Sequence, residues 1–237
     1  MKPAGGEGGG GVQPASSVSG AAKAASGVAC LVLTLVSIGA FHLANAASAF
    51  APFILVFLVA LHELGRRFQP RPAFYIGVVI GLGMFIPQMQ FLWTIFQAAA
   101  IPLWLVLALW IGLFLLTASH ANRRLSPQLA ALLTAVLWLG FEYFRSELYF
   151  LRFSWFNVGG TFSGTALITR FGWLGVYGIG FVLMLAVGFC SVLEARFRRW
   201  FLPAIAAALV LATSFPTTNP PPAPPPAQSP ARVRPGG

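Results

Sequence analysis

A chain of 237 residues that is 57% hydrophobic, only 8% charged and +0.79 in mean hydropathy cannot hide its apolar surface inside a soluble core of that size, and the composition calls instead for spans of about 20 apolar residues. A net charge of +10 does not point to nucleic acid, because the arginines fall in short clusters between apolar runs and not along one amphipathic face. The two cysteines, Cys30 and Cys190, lie in different apolar segments, which argues against a disulfide framework or a thiolate metal site and for plain packing residues.

Residues 1–27 are rich in Gly, Ala and Ser and hold no apolar run, so they are expected to be a disordered tail and not a signal peptide. Gly27-Val28-Ala29-Cys30 has the outline of a lipoprotein cleavage box, but the apolar run follows the cysteine where a signal peptide needs it before. Residues 28–215 then divide into seven apolar segments, near 28–45, 48–64, 73–96, 98–119, 127–144, 167–190 and 200–215, each close to span length. The fold class expected is an all-α, polytopic transmembrane helical bundle of about seven spans. Arg66, Arg67 and Arg71 follow the second segment, Arg123 and Arg124 the fourth, and Arg196, Arg198 and Arg199 the sixth, while the first and third connections carry no Lys or Arg. That alternation places the N-terminus in the cytoplasm and the C-terminus outside. Residues 216–237 are Pro-rich and are expected to be a second disordered tail.

Within the spans, Pro52, Pro87, Pro102 and Pro203 are expected to kink helices or open carbonyls. Gly77, Gly81 and Gly83, and Gly172, Gly175, Gly178 and Gly180, are expected to admit close helix approach. Gln88 and Gln90 suit either a polar cavity or an interhelical hydrogen bond. His62-Glu63 opens like a zinc-binding H-E-x-x-H, but Arg66 occupies the second histidine's place, so this pair is read as a helix end at the membrane edge. His42 and His120 lack partners at ligand spacing, no nucleophile elbow, P-loop or dinucleotide fingerprint is present, and the sequence has no aspartate at all, so no metal or other cofactor is expected.

The most informative stretch runs from Trp138 to Gly188. Glu142 and Arg145 stand three apart at the end of an apolar run, share a helix face and are spaced to pair, and burying either charge alone would be costly. The loop after them carries Tyr149, Phe150, Arg152, Phe153, Trp155 and Phe156 and then Gly159-Gly160, a composition suited to head-group depth. A helix-end salt bridge that only fixes the loop is the plainer role for the pair.

Taken together these segments resemble the membrane half of bacterial apolipoprotein N-acyltransferases, over roughly residues 30–215. The resemblance rests on Phe74-Tyr75-Ile76-Gly77-Val78-Val79-Ile80-Gly81-Leu82-Gly83-Met84-Phe85 followed by Trp93, on Glu142-x-x-Arg145, on Trp155 with the glycines after it, and on the run from Phe171 to Val182. It implies acyl transfer from phospholipid to the N-terminal cysteine of a bacterial lipoprotein in the inner membrane, with Glu142, Arg145, Trp155 and Trp93 as residues supporting lipid or substrate. Where the family usually has a Pro before the loop Trp, this chain has Ser154. The family's Glu-Lys-Cys triad belongs to a nitrilase-like domain inserted after the seventh helix, where the Pro-rich stretch stands here, so no residue of this sequence is assigned a catalytic role. The expectation is a membrane scaffold, truncated or working with a separate nitrilase-like chain. A small transporter or lipid-binding membrane protein without catalysis, or an inactive remnant, are the alternatives.

Overall fold

The computed structural model describes residues 15–214, and every described element is helical. Of the expected tails at 1–27 and 216–237, residues 1–14 and all of 216–237 lie outside the described residues. The helices are α1 (Ala15–Ala46), α2 (Ile54–Arg67), α3 (Pro70–Gln88), α4 (Phe91–Phe96), α5 (Ala100–Arg124), α6 (Pro127–Tyr143), α7 (Ala166–Phe171), α8 (Gly175–Val192) and α9 (Ala195–Ser214). The first helix thus starts inside the Gly/Ala-rich stretch. Six helical stretches, Ala25–Ala46, Ser48–Arg67, Pro70–Gln88, Phe91–Arg124, Pro127–Leu148 and Ala166–Val192, are long and apolar enough to cross a membrane. The seventh apolar stretch, Arg199–Ser214, is shorter. Exposed Leu31, Leu35, Val79, Leu105 and Leu211 give the bundle the apolar exterior that lipid requires.

Two expected segments are broken, and backbone geometry gives the reason. The stretch 73–96 stops at Met89, and a separate turn of helix, α4, follows; Gln97, at φ 47°, then reverses the chain into α5. The stretch 167–190 is interrupted by a 3-10 turn at Gly172–Leu174, and α8 begins at Gly175 with φ 65°, a left-handed value that glycine adopts without steric cost. Pro102 lies in the first turn of α5, where a missing N–H costs nothing, and so starts that helix instead of kinking it. Pro52 sits in the 3-10 turn Ser48–Phe53, while Pro87 and Pro203 are inside α3 and α9.

The most extensive helix contact joins α3 to α5, and small residues make it possible. A Cβ on Gly77 would meet the Ile111 carbonyl oxygen at 2.7 Å, and one on Gly81 would meet Ala108 Cα at 2.5 Å. Gly112 is the reciprocal notch, receiving Val78, and Gly83 receives Ile38 from α1. In the later segment the expectation holds only in part. Gly180 and Gly188 pack against α6 residues, but Gly172 and Gly175 have open space around them, and Gly178 faces only Leu174.

Side-chain bonds show which helix ends meet. Ser119 donates to the Phe68 carbonyl at 2.6 Å and His62 bonds Ser191 at 3.1 Å, which gathers the arginine-bearing turns after α2, α5 and α8 at one end. At the other end Gln88 donates to His42 Nδ1 at 3.1 Å, so His42 Nε2 carries the proton and donates to the Gly83 carbonyl at 2.9 Å. Gln88 therefore makes the interhelical hydrogen bond. Cys30 is partly exposed, Cys190 is buried, and no disulfide joins them.

Candidate functional site

The end of α6 changes its winding where the acidic residue sits. Phe144–Leu148 form a π turn, in which the Tyr149 N–H donates to the Phe144 carbonyl five residues back at 2.7 Å. Such turns are rare and concentrate at functional positions. The wider winding changes where Arg145 and Ser146 point relative to a continued α-helix, and both are buried with Glu142.

Glu142 and Arg145 do not form an ion pair. Among the described residues the ion pairs are those of Glu63 with Arg66 and Arg67. Each buried charge instead grips the loop that follows. Glu142 Oε1 accepts from the Val158 backbone N–H at 2.8 Å. Arg145 donates through Nη2 to Asn157 Oδ1 at 2.8 Å and to the Trp155 carbonyl at 3.3 Å, and its guanidinium lies 5.7 Å from the Phe85 ring centre. Ser146 adds bonds to Asn157 Oδ1 at 3.3 Å and the Phe153 carbonyl at 3.2 Å. Two charges and a hydroxyl thus fix the backbone of residues 153–158 from below, each charge bonding to loop dipoles.

The loop is held in a conformation that a free chain would seldom keep. Arg152 at φ 43° and Phe156 at φ 59° are non-glycine residues in the left-handed region, each costing on the order of 1–3 kcal/mol. Gly159 then presses against α8 so closely that a Cβ there would lie within bonding distance of the Val176 carbonyl oxygen. Gly180 does the same for the charged site, since its Cβ would meet Glu142 Oε2 at 2.9 Å and Trp138 Nε1 at 3.6 Å.

Beneath this clasp is a narrow cavity of about 20 Å³, room for a single water. Its walls are Phe41, Phe57, Met84, Phe85, Trp110, Ile111, Phe114, Trp138, Phe141, Phe156 and Val158, with Glu142 and Arg145 as the charged groups. Arg145 Nε and Trp110 Nε1 are buried without a hydrogen-bond partner, while Glu142 Oε2 and Trp138 Nε1 lie side by side around Gly180. Buried polar atoms around so small an apolar chamber suit a bound water.

Of the four sequence-predicted residues, Glu142 and Arg145 are brought together in this chamber, and the Trp155 carbonyl joins them while its ring does not. The Trp155 side chain is half exposed, against Phe91 at 5.5 Å and Phe153 at 5.9 Å between ring centres. Trp93 stands apart from the clasp, in α4, stacked on Trp104 at 6.2 Å with planes 12° apart. Asn157, Ser146, Trp138 and Gly180 were not singled out from the sequence as site residues. A polar amide closing an aromatic run ahead of Gly159-Gly160 is the signal that marks Asn157. Arg152, the arginine within the aromatic loop, is exposed at its surface.

A bundle of apolar helices carrying at one end an aromatic loop anchored by two buried charges defines a multi-pass membrane protein. Residues 32–190 match the model of the apolipoprotein N-acyltransferase N-terminal domain, two thirds of the chain, and the chain belongs to that family. No curated protein sequence matches it.

Proposed function

We propose that this chain is the membrane-embedded half of an apolipoprotein N-acyltransferase, in which the bundle and its anchored aromatic loop help hold the phospholipid whose acyl chain passes to the N-terminal cysteine of a lipoprotein. The observation that carries the reading is the clasp: Glu142 on Val158 and Arg145 on Asn157 and Trp155, which holds the exposed rings of Phe150 and Trp155 at one end of the bundle, where aromatic side chains suit the lipid interface. The chemistry itself needs a nucleophile activated by a base and donors for the oxyanion. Cys30 belongs to α1 and Cys190 to the arginine-bearing end of α8, remote from the loop, and the lysines Lys2 and Lys23 precede the first span. The nucleophile is therefore assigned to a nitrilase-like domain, on the same polypeptide or on another, and Glu142, Arg145, Trp155 and Trp93 to support of lipid and loop.

The proposed orientation puts the arginine-bearing turns in the cytoplasm of a bacterial inner membrane and the aromatic loop outside. Alkaline phosphatase fused after Phe215 is expected to be active and the same fusion at Arg124 silent, and the opposite pattern would reject the orientation. For the function, the purified chain given phospholipid and a diacylated lipopeptide is expected to form neither triacylated product nor a hydroxylamine-labile acyl-enzyme. Supplied with a nitrilase-like domain of the family, it should form both. Turnover by the chain of residues 1–237 that vanished on Cys190→Ser would overturn this division of labour.

A further inference from the structure

A second pocket lies at the opposite, arginine-bearing end and is unrelated to the loop. It has a volume of about 250 Å³ and is built from α2 (Val59, His62, Glu63, Arg67), α8 (Val187, Cys190, Ser191) and Leu202 of α9. His62 is 3% exposed. Its tautomer follows from its neighbour, because Ser191 donates its hydroxyl proton to the Gly188 carbonyl at 2.7 Å and is left to accept from His62 Nε2 at 3.1 Å. Nδ1 then carries a lone pair, is buried, and has no partner. Arg67 supplies the complementary half. Its Nε is taken by Glu63 at 3.0 Å, whereas its two terminal nitrogens bond no described residue. Glu63 is shared with Arg66 at 3.4 Å, so the rim keeps one positive charge in excess.

We propose that this pocket binds a phospholipid head group from the leaflet on the arginine-bearing side, the phosphodiester on the terminal nitrogens of Arg67 and an N–H or O–H of the head group on His62 Nδ1. A guanidinium presents paired donors to phosphate. The buried imidazole nitrogen accepts one donor, which selects against a head group that has none. Val59, Val187 and Leu202 give the pocket an apolar side suited to the glycerol and first methylenes, and its position at the end of α2, where span meets basic turn, is head-group depth.

The test is native mass spectrometry of the whole chain in detergent, offered phosphatidylethanolamine, phosphatidylglycerol and phosphatidylcholine at equal concentration. Retention of the first two over phosphatidylcholine, whose head group has no N–H or O–H, is expected by about tenfold, the size of one hydrogen bond. Arg67→Gln should lower retention of all three, and His62→Phe should abolish the preference, while Arg124→Gln, exposed at the same end but outside the pocket, leaves both unchanged. Arg67 is itself exposed, so R67Q is informative even where H62F does not fold. Equal retention of the three lipids, or equal losses in R67Q and R124Q, would overturn the proposal. Displacement by free phosphoethanolamine at the lipid's own concentration would show a site for a soluble phosphate and overturn the lipid assignment.

Discussion

Glu63-x-x-Arg66 and Glu142-x-x-Arg145 have the same spacing and opposite outcomes. In the first, α2 keeps its α-helical winding through Arg67, the side chains are partly solvated, and Glu63 meets Arg66 and Arg67 directly. In the second, the helix opens into a π turn after Glu142, the site is buried, and each charge bonds the loop and not its neighbour. Spacing makes a pair available to an i, i+3 contact, and local winding together with competing dipoles decides whether the contact forms. A solvated pair of the first kind adds little to stability, whereas the second arrangement carries a whole loop.

Substitutions at the two motifs should therefore differ in size. Arg145→Met removes two hydrogen bonds from a buried cation and leaves Glu142 as the lone charge in the chamber, at about 3–5 kcal/mol, so it should lower the melting temperature in detergent by roughly 6–15 °C. A shift below about 2 °C would show that the guanidinium is not the loop's anchor. Gly159→Ala should come next, at about 1–3 kcal/mol, because the Val176 carbonyl must move for the new methyl. Limited proteolysis should cut its 149–165 segment sooner than in the wild type, and an unchanged rate would mean that the loop does not depend on that contact. Glu142→Gln keeps an oxygen for the Val158 N–H and loses only the charge, so it should cost less than Glu142→Leu, and equal costs would separate Glu142 from Val158. Glu63→Gln should change stability by less than about 1 kcal/mol, a difference that fades further near 1 M salt.

Much of the architecture was legible in the sequence. Apolar run length marks helices because lipid leaves backbone groups no other partner, and the glycines at 77 and 81 mark a close helix pair because little else fits there. The run from Phe74 to Phe85 with Trp93, Glu142-x-x-Arg145 and Trp155 also carried the family, which residues 32–190 match. The breaks at Gln97 and Gly172–Leu174 were not legible, since apolar runs on both sides conceal a change in backbone dihedral. Nor were the partners of Glu142 and Arg145. Val158 contributes a backbone N–H, which has no sequence signature, and Asn157 becomes a partner only once the π turn brings Arg145 to face it. Trp93 was grouped with the site on family order, but its stacking on Trp104 places it in a separate aromatic contact.

The most direct measurement of the central claim is amide hydrogen exchange of residues 153–160 in lipid nanodiscs. Within it the Val158 N–H is bonded to a buried carboxylate, and Arg145 holds the loop through the Trp155 carbonyl and Asn157 Oδ1, so the Val158 amide should be protected in the wild-type chain, lose protection in Glu142→Leu and Arg145→Met, and keep it in Glu63→Gln. Rapid exchange in the wild type, or the same loss in all three variants, would contradict the account that two buried, separately bonded charges hold the aromatic loop in place.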